Sequence, residues 1–437
     1  MADGIGERLQ FPACRGRRVE AEFSGGDVTS DGGVLLLRQA DRKLGLLTAV
    51  AARLEDNRDP ARCRHRLVDL LRQRVFGIAL AYEDLNDHGT LRRDPAWQTA
   101  IERDRVLASP PTLCRFENRA DRATAWALHE VLVEQFIASF ASPPAELILD
   151  FDATDDPVHG RQEGRFFHGF YDHYCFLPLY VFCGDRLLVA YLRPSNIDPA
   201  RHAWAILALL VRRLRQTWPE VRITLRADSG FCRHRMLDWC DHHSVGYILG
   251  VAKNPVLNQL AGPWLGQAEQ GFAATGQPQR LFAELHYAAR TWRRQRRVIA
   301  RIEHSAKGSN PRYVVTNLAG VAQELYEGLY CARGEMENRI KEQQLALFAD
   351  RTSCHRWWAN QFRLLLASLA YSLIETIRRL ALAGTELARA QAGTIRLKLL
   401  KIGAVILRNT RRVRFLLASA CPYQALFRLA AQRLAPG

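Results

Sequence analysis

The segment LILDFDATDDPVHG, residues 147–160, runs from apolar residues into four aspartates, Asp150, Asp152, Asp155 and Asp156. Acids gathered at the end of a buried strand repel one another and resist desolvation, and a divalent cation would offset that cost. Side chains alternate along a strand, so Asp150 and Asp152 project to the same side at its carboxyl end. A second apolar run, ITLRAD (223–228), delivers Asp228 at its own carboxyl end, where an aspartate also reads as an ordinary cap. In YCARGEMENRIKEQ (330–343) helical spacing puts Tyr330, Arg333, Glu337 and Lys341 on one stripe, although such a stripe also suits a solvated face. Asp152, Asp228 and Glu337 together offer hard oxygen donors suited to Mg²⁺ or Mn²⁺. Two such ions about 3.5–4 Å apart can activate a water or a 3′-hydroxyl and stabilise the leaving oxygen of a phosphodiester.

Positioning three acids from distant segments requires a fold whose order converges them. Residues 27–140 read as mainly helical, with periodic stretches such as residues 63–85, and the proline-marked link ASPPAE (141–146) then changes the rhythm. Strands are expected at LILDFD, 176–184 and 186–193, a helix across 200–217, a strand at 221–228, a helix across 232–243 and a strand at 245–251. That order is the one of an RNase H-like α/β mixed-sheet core. Residues 252–310 suggest a β-rich insertion, 312–318 resumes the sheet, and long helices fill about 328–383. The expected organisation is a helical N-terminal DNA-binding region (1–140), a core in two parts (141–251 and 311–383) split by the insertion, and a basic helical C-terminal region (384–437).

With 437 residues, 48% of them hydrophobic, the chain can hold two or three domains. Lys and Arg total 61 against 45 Asp and Glu, a formal charge of +16, which suits a phosphate backbone. Arginine codons of a GC-rich genome would give a similar surplus. No opening apolar run resembles a signal peptide and no uncharged stretch is of membrane-spanning length, so a cytoplasmic, nucleoid-associated protein with no membrane partner is expected. The ten scattered cysteines read as reduced core residues.

On these residues the sequence resembles the DDE transposases of bacterial insertion sequences, in particular insertion sequence group thirteen-eighty. Tyr330, Arg333 and Glu337 match the Tyr-x2-Arg-x3-Glu signature of its cut-and-paste branch, and DFDATDDPVHG, LRADSGF, VVTNL and YCARGEMENRIKE follow in the expected order. VTSDGG (28–33), residues 70–88, TLCRFEN (112–118) and residues 395–415 are also similar to that group. One departure is Gln344, where the broader signature has Lys; Lys341 would then take the phosphate contact. The resemblance implies the RNase H-like core with its insertion, binding of terminal inverted repeats in double-stranded DNA, pairing of two ends by a homodimer, and two Mg²⁺ or Mn²⁺ ions. It favours Asp152 as the ligand, because DAT resembles the family's Asp-small-Thr segment, with Asp150 a supporting acid and Asp155 and Asp156 capping or binding arginine.

Relatives that cut through a hairpin intermediate stack a flipped base on an aromatic, which makes Trp292 in RTWRRQRR (290–297) a candidate, with Arg294, Arg296 and Arg297 on the backbone. Packing of Trp292 within a small β-domain is the alternative. Arg411 and Arg412 in RNTRRVRF are further phosphate candidates. Cys232, His234, Cys240 and His243 lack the spacing of a zinc site and read as core packing. The rival functions are a nuclease or resolvase without strand transfer and a catalytically silent DNA-binding relative.

Overall fold

In the strand β1 (Glu146–Ala153) Leu147, Leu149 and Phe151 are buried in one hydrophobic cluster, while Asp150 and Asp152 fall at the intervening positions. This alternation sorts apolar side chains to one face of the sheet and acids to the other. The computed structural model describes residues 8–435; residues 1–7 and 436–437, the outermost parts of the expected N- and C-terminal regions, lie outside the described residues. The chain divides into two units, one comprising the segments up to Arg119 and from Leu369 onward, the other Ala120–Ser368.

The second unit begins with α1 (Arg122–Ala138) and β1, followed by β2 (Phe166–His168), β3 (His173–Phe176), β4 (Leu179–Cys183) and β5 (Arg186–Tyr191). Next come α2 (Ala203–Thr217), β6 (Arg222–Ala227), α3 (His234–His242), β7 (Gly246–Val251), α4 (Gly262–Thr275), β8 (Gln279–Tyr287), β9 (Arg296–Ser305), β10 (Arg312–Thr316) and α5 (Gly334–Lys341). The main sheet has the order β8-β9-β10-β7-β6-β1-β4-β5, with Gly308–Ser309 paired beside β9. Strands β1, β6 and β7 run parallel at its centre, and the flanking pairs are antiparallel. The fold is a mixed α/β one.

Leu207, Leu210, Val211 and Leu214 of α2, with Met236, Leu237 and Cys240 of α3, share a cluster with the apolar side of β1, β6 and β7. On the other side Ile248, Ile299 and Val314 pack with Ala322 and Tyr326, and Tyr330 lies against them. Burying each such side chain contributes about 1.5–3 kcal/mol. This second cluster therefore seats the segment leading into α5 on the face that carries the acids.

Three stretches differ from the sequence expectation. Val133 and Phe136 of α1 are buried with Leu147 and Leu149, so the unit boundary falls at 119/120 instead of 140/141. Residues 252–310 start with two helices, Pro255–Leu260 and α4, before β8 and β9: the Asn254 side chain caps the first, Pro255 and Pro263 occupy favourable opening turns, and Gly276 ends the second in a left-handed conformation. Residues 404–408 and 413–417 form a strand pair where helices were expected. Their β-branched and aromatic residues favour strands, and the Asn409 side chain accepts the Arg411 and Arg412 amides to form the turn.

In the first unit the VTSDGG segment has a structural role. Buried Asp31 accepts from Trp97 Nε1 at 2.9 Å and from Lys401 Nζ at 2.9 Å, which ties the early and late parts of that unit together. None of the described helices is long and apolar enough to cross a membrane.

Candidate active site

Strands β1 and β6 pair in parallel with Asp150 opposite Arg226 and Phe151 opposite Ala227. The next residues on the two chains are Asp152 and Asp228, so the register brings both aspartates to the same edge of the sheet. Asp228 also caps the following turn, accepting from the Gly230 amide at 2.9 Å. The ordinary capping reading and the functional one thus describe the same side chain.

The third acid arrives on a helix that changes pitch. A wide π turn over Leu325–Tyr330 and a 3₁₀ turn over Cys331–Arg333 precede α5, so the expected stripe is not one uniform α-helix. Arg333 nevertheless pairs with Glu337, its neighbour on that stripe, and also with Asp152 of β1. Its Nη2 donates to Glu337 Oε1 at 2.5 Å and its Nη1 to Asp152 Oδ2 at 3.2 Å. The Asp152 side chain is 14% exposed and that of Glu337 43%. Burial pushes the Asp152 carboxyl up to about 7; Arg333 opposes this, while Asp228 and Glu337 add to it. Asp152 therefore feels both other acids, and Arg333 supplies the positive charge between it and Glu337.

Beneath this edge Arg226 forms a forked pair with Asp150 at 2.5 and 2.7 Å and donates Nη1 to the Leu329 carbonyl at 2.6 Å. Both side chains are buried. Asp150 is thus committed to holding the segment before Tyr330 onto the sheet, a support that places Arg333 and Glu337 over the aspartates. The Tyr330 hydroxyl reaches the end of β7, where a Cβ on Gly250 would lie 2.8 Å from it and 2.8 Å from the Ser229 amide. Gly250 leaves room for that close approach.

Asp155 accepts from His173 Nε2 at 2.9 Å, and its carbonyl accepts from Gln344 Nε2 at 3.0 Å. The glutamine at the departed signature position thus braces the acidic loop from inside. Asp156 is fully buried with neither carboxylate oxygen bonded, and burial first, then Asp350 and Asp155, raises its pKa. Lys341 is exposed one turn beyond Glu337.

Among the described residues no three His, Cys, Asp or Glu side chains stand close enough to chelate a metal in this arrangement. The donor set fits a hard divalent cation all the same. Asp152 and Glu337 already share one cationic group, the Arg333 guanidinium, and their carboxylate oxygens are the hard donors such a cation takes.

The sequence matches the family model "Transposase DDE domain group 1" over residues 11–436. The chain belongs to this DDE transposase family. The cryo-EM structure of a piggyBac transposase synaptic complex with hairpin DNA is similar at 11% identity, covering 98% of this chain and 84% of that one, with a TM-score of 0.43. Among curated proteins none matches in sequence.

The transposase's other candidate residues separate into available and committed groups. Arg296 is buried, bonded to Asp238, Asp241 and the Tyr247 hydroxyl, which corrects its assignment as a DNA contact. Arg297 is spent on Glu284 and the carbonyls of Leu318 and Gly320. Trp292 lies against the main core and edge-on to Tyr287 at 5.4 Å, the packing alternative to an open stacking residue. Arg294 is 60% exposed and paired with Asp241 at 2.7 Å, while Arg411 and Arg412 stand exposed at their hairpin tip. Cys232 and Cys240 pack in the main core, with burial raising both thiols.

Sequence reasoning missed Arg226, although its two-residue spacing from Asp228 repeats that of Asp150 from Asp152. It also missed a hollow of about 520 Å³ in the first unit lined by Arg62, Arg64, Arg66, Arg103 and Arg105. Only the cluster of arginines around residues 62–66 hinted at it.

Proposed function

We propose that this transposase mobilises a bacterial insertion sequence of group thirteen-eighty, working as a homodimer on the element's terminal inverted repeats. The observation that carries the reading is the joint approach of Asp152 and Glu337 to Arg333 beside Asp228, at the ends of two adjacent parallel strands. In the RNase H-like reading of this core, Asp152, Asp228 and Glu337 would hold two Mg²⁺ or Mn²⁺ ions. Bound there, the ions supply charge for in-line displacement at phosphorus.

The chain's own residues bind and orient the DNA. Arg333 contacts the scissile phosphate region, and Lys341 extends that contact one turn along α5. The Asp150–Arg226 pair keeps α5 in register with the strand ends. Arg411, Arg412 and the arginine-lined hollow bind phosphates elsewhere along the end. Water attacks phosphorus and the element's 3′-oxygen leaves, taking up a proton to become a hydroxyl. That hydroxyl then attacks a target phosphodiester and displaces the target's 3′-oxygen, so one bond forms for each that breaks.

Strand transfer separates this reading from a plain nuclease. A pre-cut end oligonucleotide with a labelled 3′-hydroxyl, incubated with protein, Mg²⁺ and supercoiled plasmid, is expected to become covalently joined to the plasmid. Cleavage of intact ends without any joined product would favour the nuclease.

A further inference from the structure

Asp156 pairs through its backbone with Phe176 of β3 and is fully buried, and neither oxygen of its carboxylate has a hydrogen-bond partner among the described residues. The charges that act on it, those of Asp350 and Asp155, are both negative. Tyr180 of β4, opposite Asp152 in the sheet, is also fully buried with its hydroxyl unbonded, and that hydroxyl feels both Asp156 and Asp350. The side-chain amide of fully buried Gln343 and the hydroxyl of buried Thr352 are likewise unbonded. We propose that Asp156 and Asp350, with the oxygens of Gln343, Thr352 and Tyr180, hold a structural divalent cation of the calcium class. Such a site goes beyond the transposase reading, because it concerns how the chain is held together and not what it cleaves.

The backbone brings these groups together. The Ala349 amide donates to the Gln343 carbonyl at 3.0 Å and the Thr352 amide to the Asp350 carbonyl at 2.9 Å, so residues 343–352 fold back on themselves after α5. The loop after β1 runs along this turn. Gln344 Nε2 donates to the Asp155 carbonyl at 3.0 Å, Gln162 Nε2 to the Thr352 carbonyl at 3.2 Å and the Glu163 amide to the His355 carbonyl at 2.9 Å. A cation between Asp156 and Asp350 would therefore join the segment that follows Asp152 to the segment that follows Glu337.

The chemistry of the set selects the ion. A buried hydroxyl or amide without a partner is unfavourable, and a buried ionised carboxylate is more so unless a cation neutralises it. Arg351 partly offsets Asp350, but the charges on Asp156 are all of its own sign. Asp155 is taken by His173, which leaves two carboxylates and neutral oxygens where three acids would otherwise be needed. Two carboxylates match a divalent charge. Ca²⁺ accepts carboxylate, amide and hydroxyl oxygens in flexible geometry, whereas Mg²⁺ keeps several of its waters and suits an all-protein cage less.

The test uses the full chain carrying Asp152→Asn and Glu337→Gln, so that Ca²⁺ has no other acidic pair to occupy. After chelation and desalting the protein is equilibrated with Ca²⁺ in KCl buffer, and bound metal is measured by elemental analysis alongside thermal melts. The background protein should retain about one equivalent of Ca²⁺ and melt about 5–10 °C higher at a hundredfold excess over its Kd. Trypsin cleavage after the exposed Arg351 should slow by about tenfold when Ca²⁺ is added. Adding Asp156→Asn should abolish binding and all three responses to Ca²⁺, while melting in chelator no lower than the background. Asp350→Asn, at the less buried acid, should weaken binding by at least about tenfold. A background protein that retains no Ca²⁺ and melts alike in Ca²⁺ and chelator would overturn the proposal, with water and a protonated Asp156 satisfying these groups instead. Undiminished Ca²⁺ binding by both Asn variants would overturn it as well. Neither result bears on the transposase reading, which end cleavage by wild type decides separately.

Discussion

Asp150 and Arg226 face each other across adjacent parallel strands, buried and doubly bonded, and Arg226 reaches on to the Leu329 carbonyl. One ion pair therefore fixes the distance between two strand ends and the helix that brings the third acid. Asp150→Asn leaves Arg226 buried without its counter-charge, and breaking such a pair costs about 3–5 kcal/mol. Urea unfolding of the variant should show that loss in the midpoint. End cleavage by protein that remains folded should fall as well, because α5 loses its register.

Gly250→Ala places a methyl 2.8 Å from both the Ser229 amide and the Tyr330 hydroxyl. The clash should destabilise the protein by about 1–3 kcal/mol and displace Tyr330. Combining it with Tyr330→Phe removes one of the two collisions. The double variant should accordingly melt above Gly250→Ala alone.

The arginines divide by role. Arg296→Ala should lower the unfolding midpoint by an amount equivalent to about 3–5 kcal/mol, since Asp238 and Asp241 lose their buried partner, with little change in DNA affinity for the folded fraction. Arg411→Ala with Arg412→Ala should leave the melt unchanged. It should weaken DNA binding at every sequence and reduce the slope of log affinity against log salt by about 2.

His88 gives the first unit a pH limit. It is buried between Gln73 and Arg74, and burial, aided by Arg74, lowers its pKa to about 3 from 6.5. The folded state holds it neutral, so the unfolded chain binds more protons between those values. Stability from this group is complete above pH 6.5 and declines as pH falls toward 3, by about 2 kcal/mol between pH 6.5 and 5. Thermal melts across that range should show the decline, and His88→Gln should flatten it.

How much of this was legible in the sequence follows from the range of each signal. Two-residue alternation placed Asp150 and Asp152 on one face, and Asp228 at a strand end was readable as well, because both are local features of a strand. Helical spacing paired Arg333 with Glu337, although the pitch changes before α5 were hidden, since they depend on how Tyr326 and Tyr330 pack against Ile248 and Val314. Arg296 looked like a phosphate contact because arginine surrounded by arginines reads as surface. Its acidic partners lie 55 and 58 residues away, both on α3, beyond any local pattern. The 404–417 strand pair was misread for a similar reason: its third strand is Val28–Thr29, nearly the whole chain length away.

The central claim is that Asp152, Asp228 and Glu337 act together on a phosphodiester. The most direct measurement is cleavage of labelled DNA carrying the element's own ends, with Mg²⁺ or with chelator, by wild type and by Glu337→Gln, alongside a binding assay. The account predicts nicking at the ends by wild type in Mg²⁺, none with chelator, and a loss of at least about a thousandfold in Glu337→Gln with end binding retained, as for removal of a group acting in the transition state. Undiminished cleavage by Glu337→Gln, or tight end binding by wild type without cleavage in any divalent metal, would contradict it.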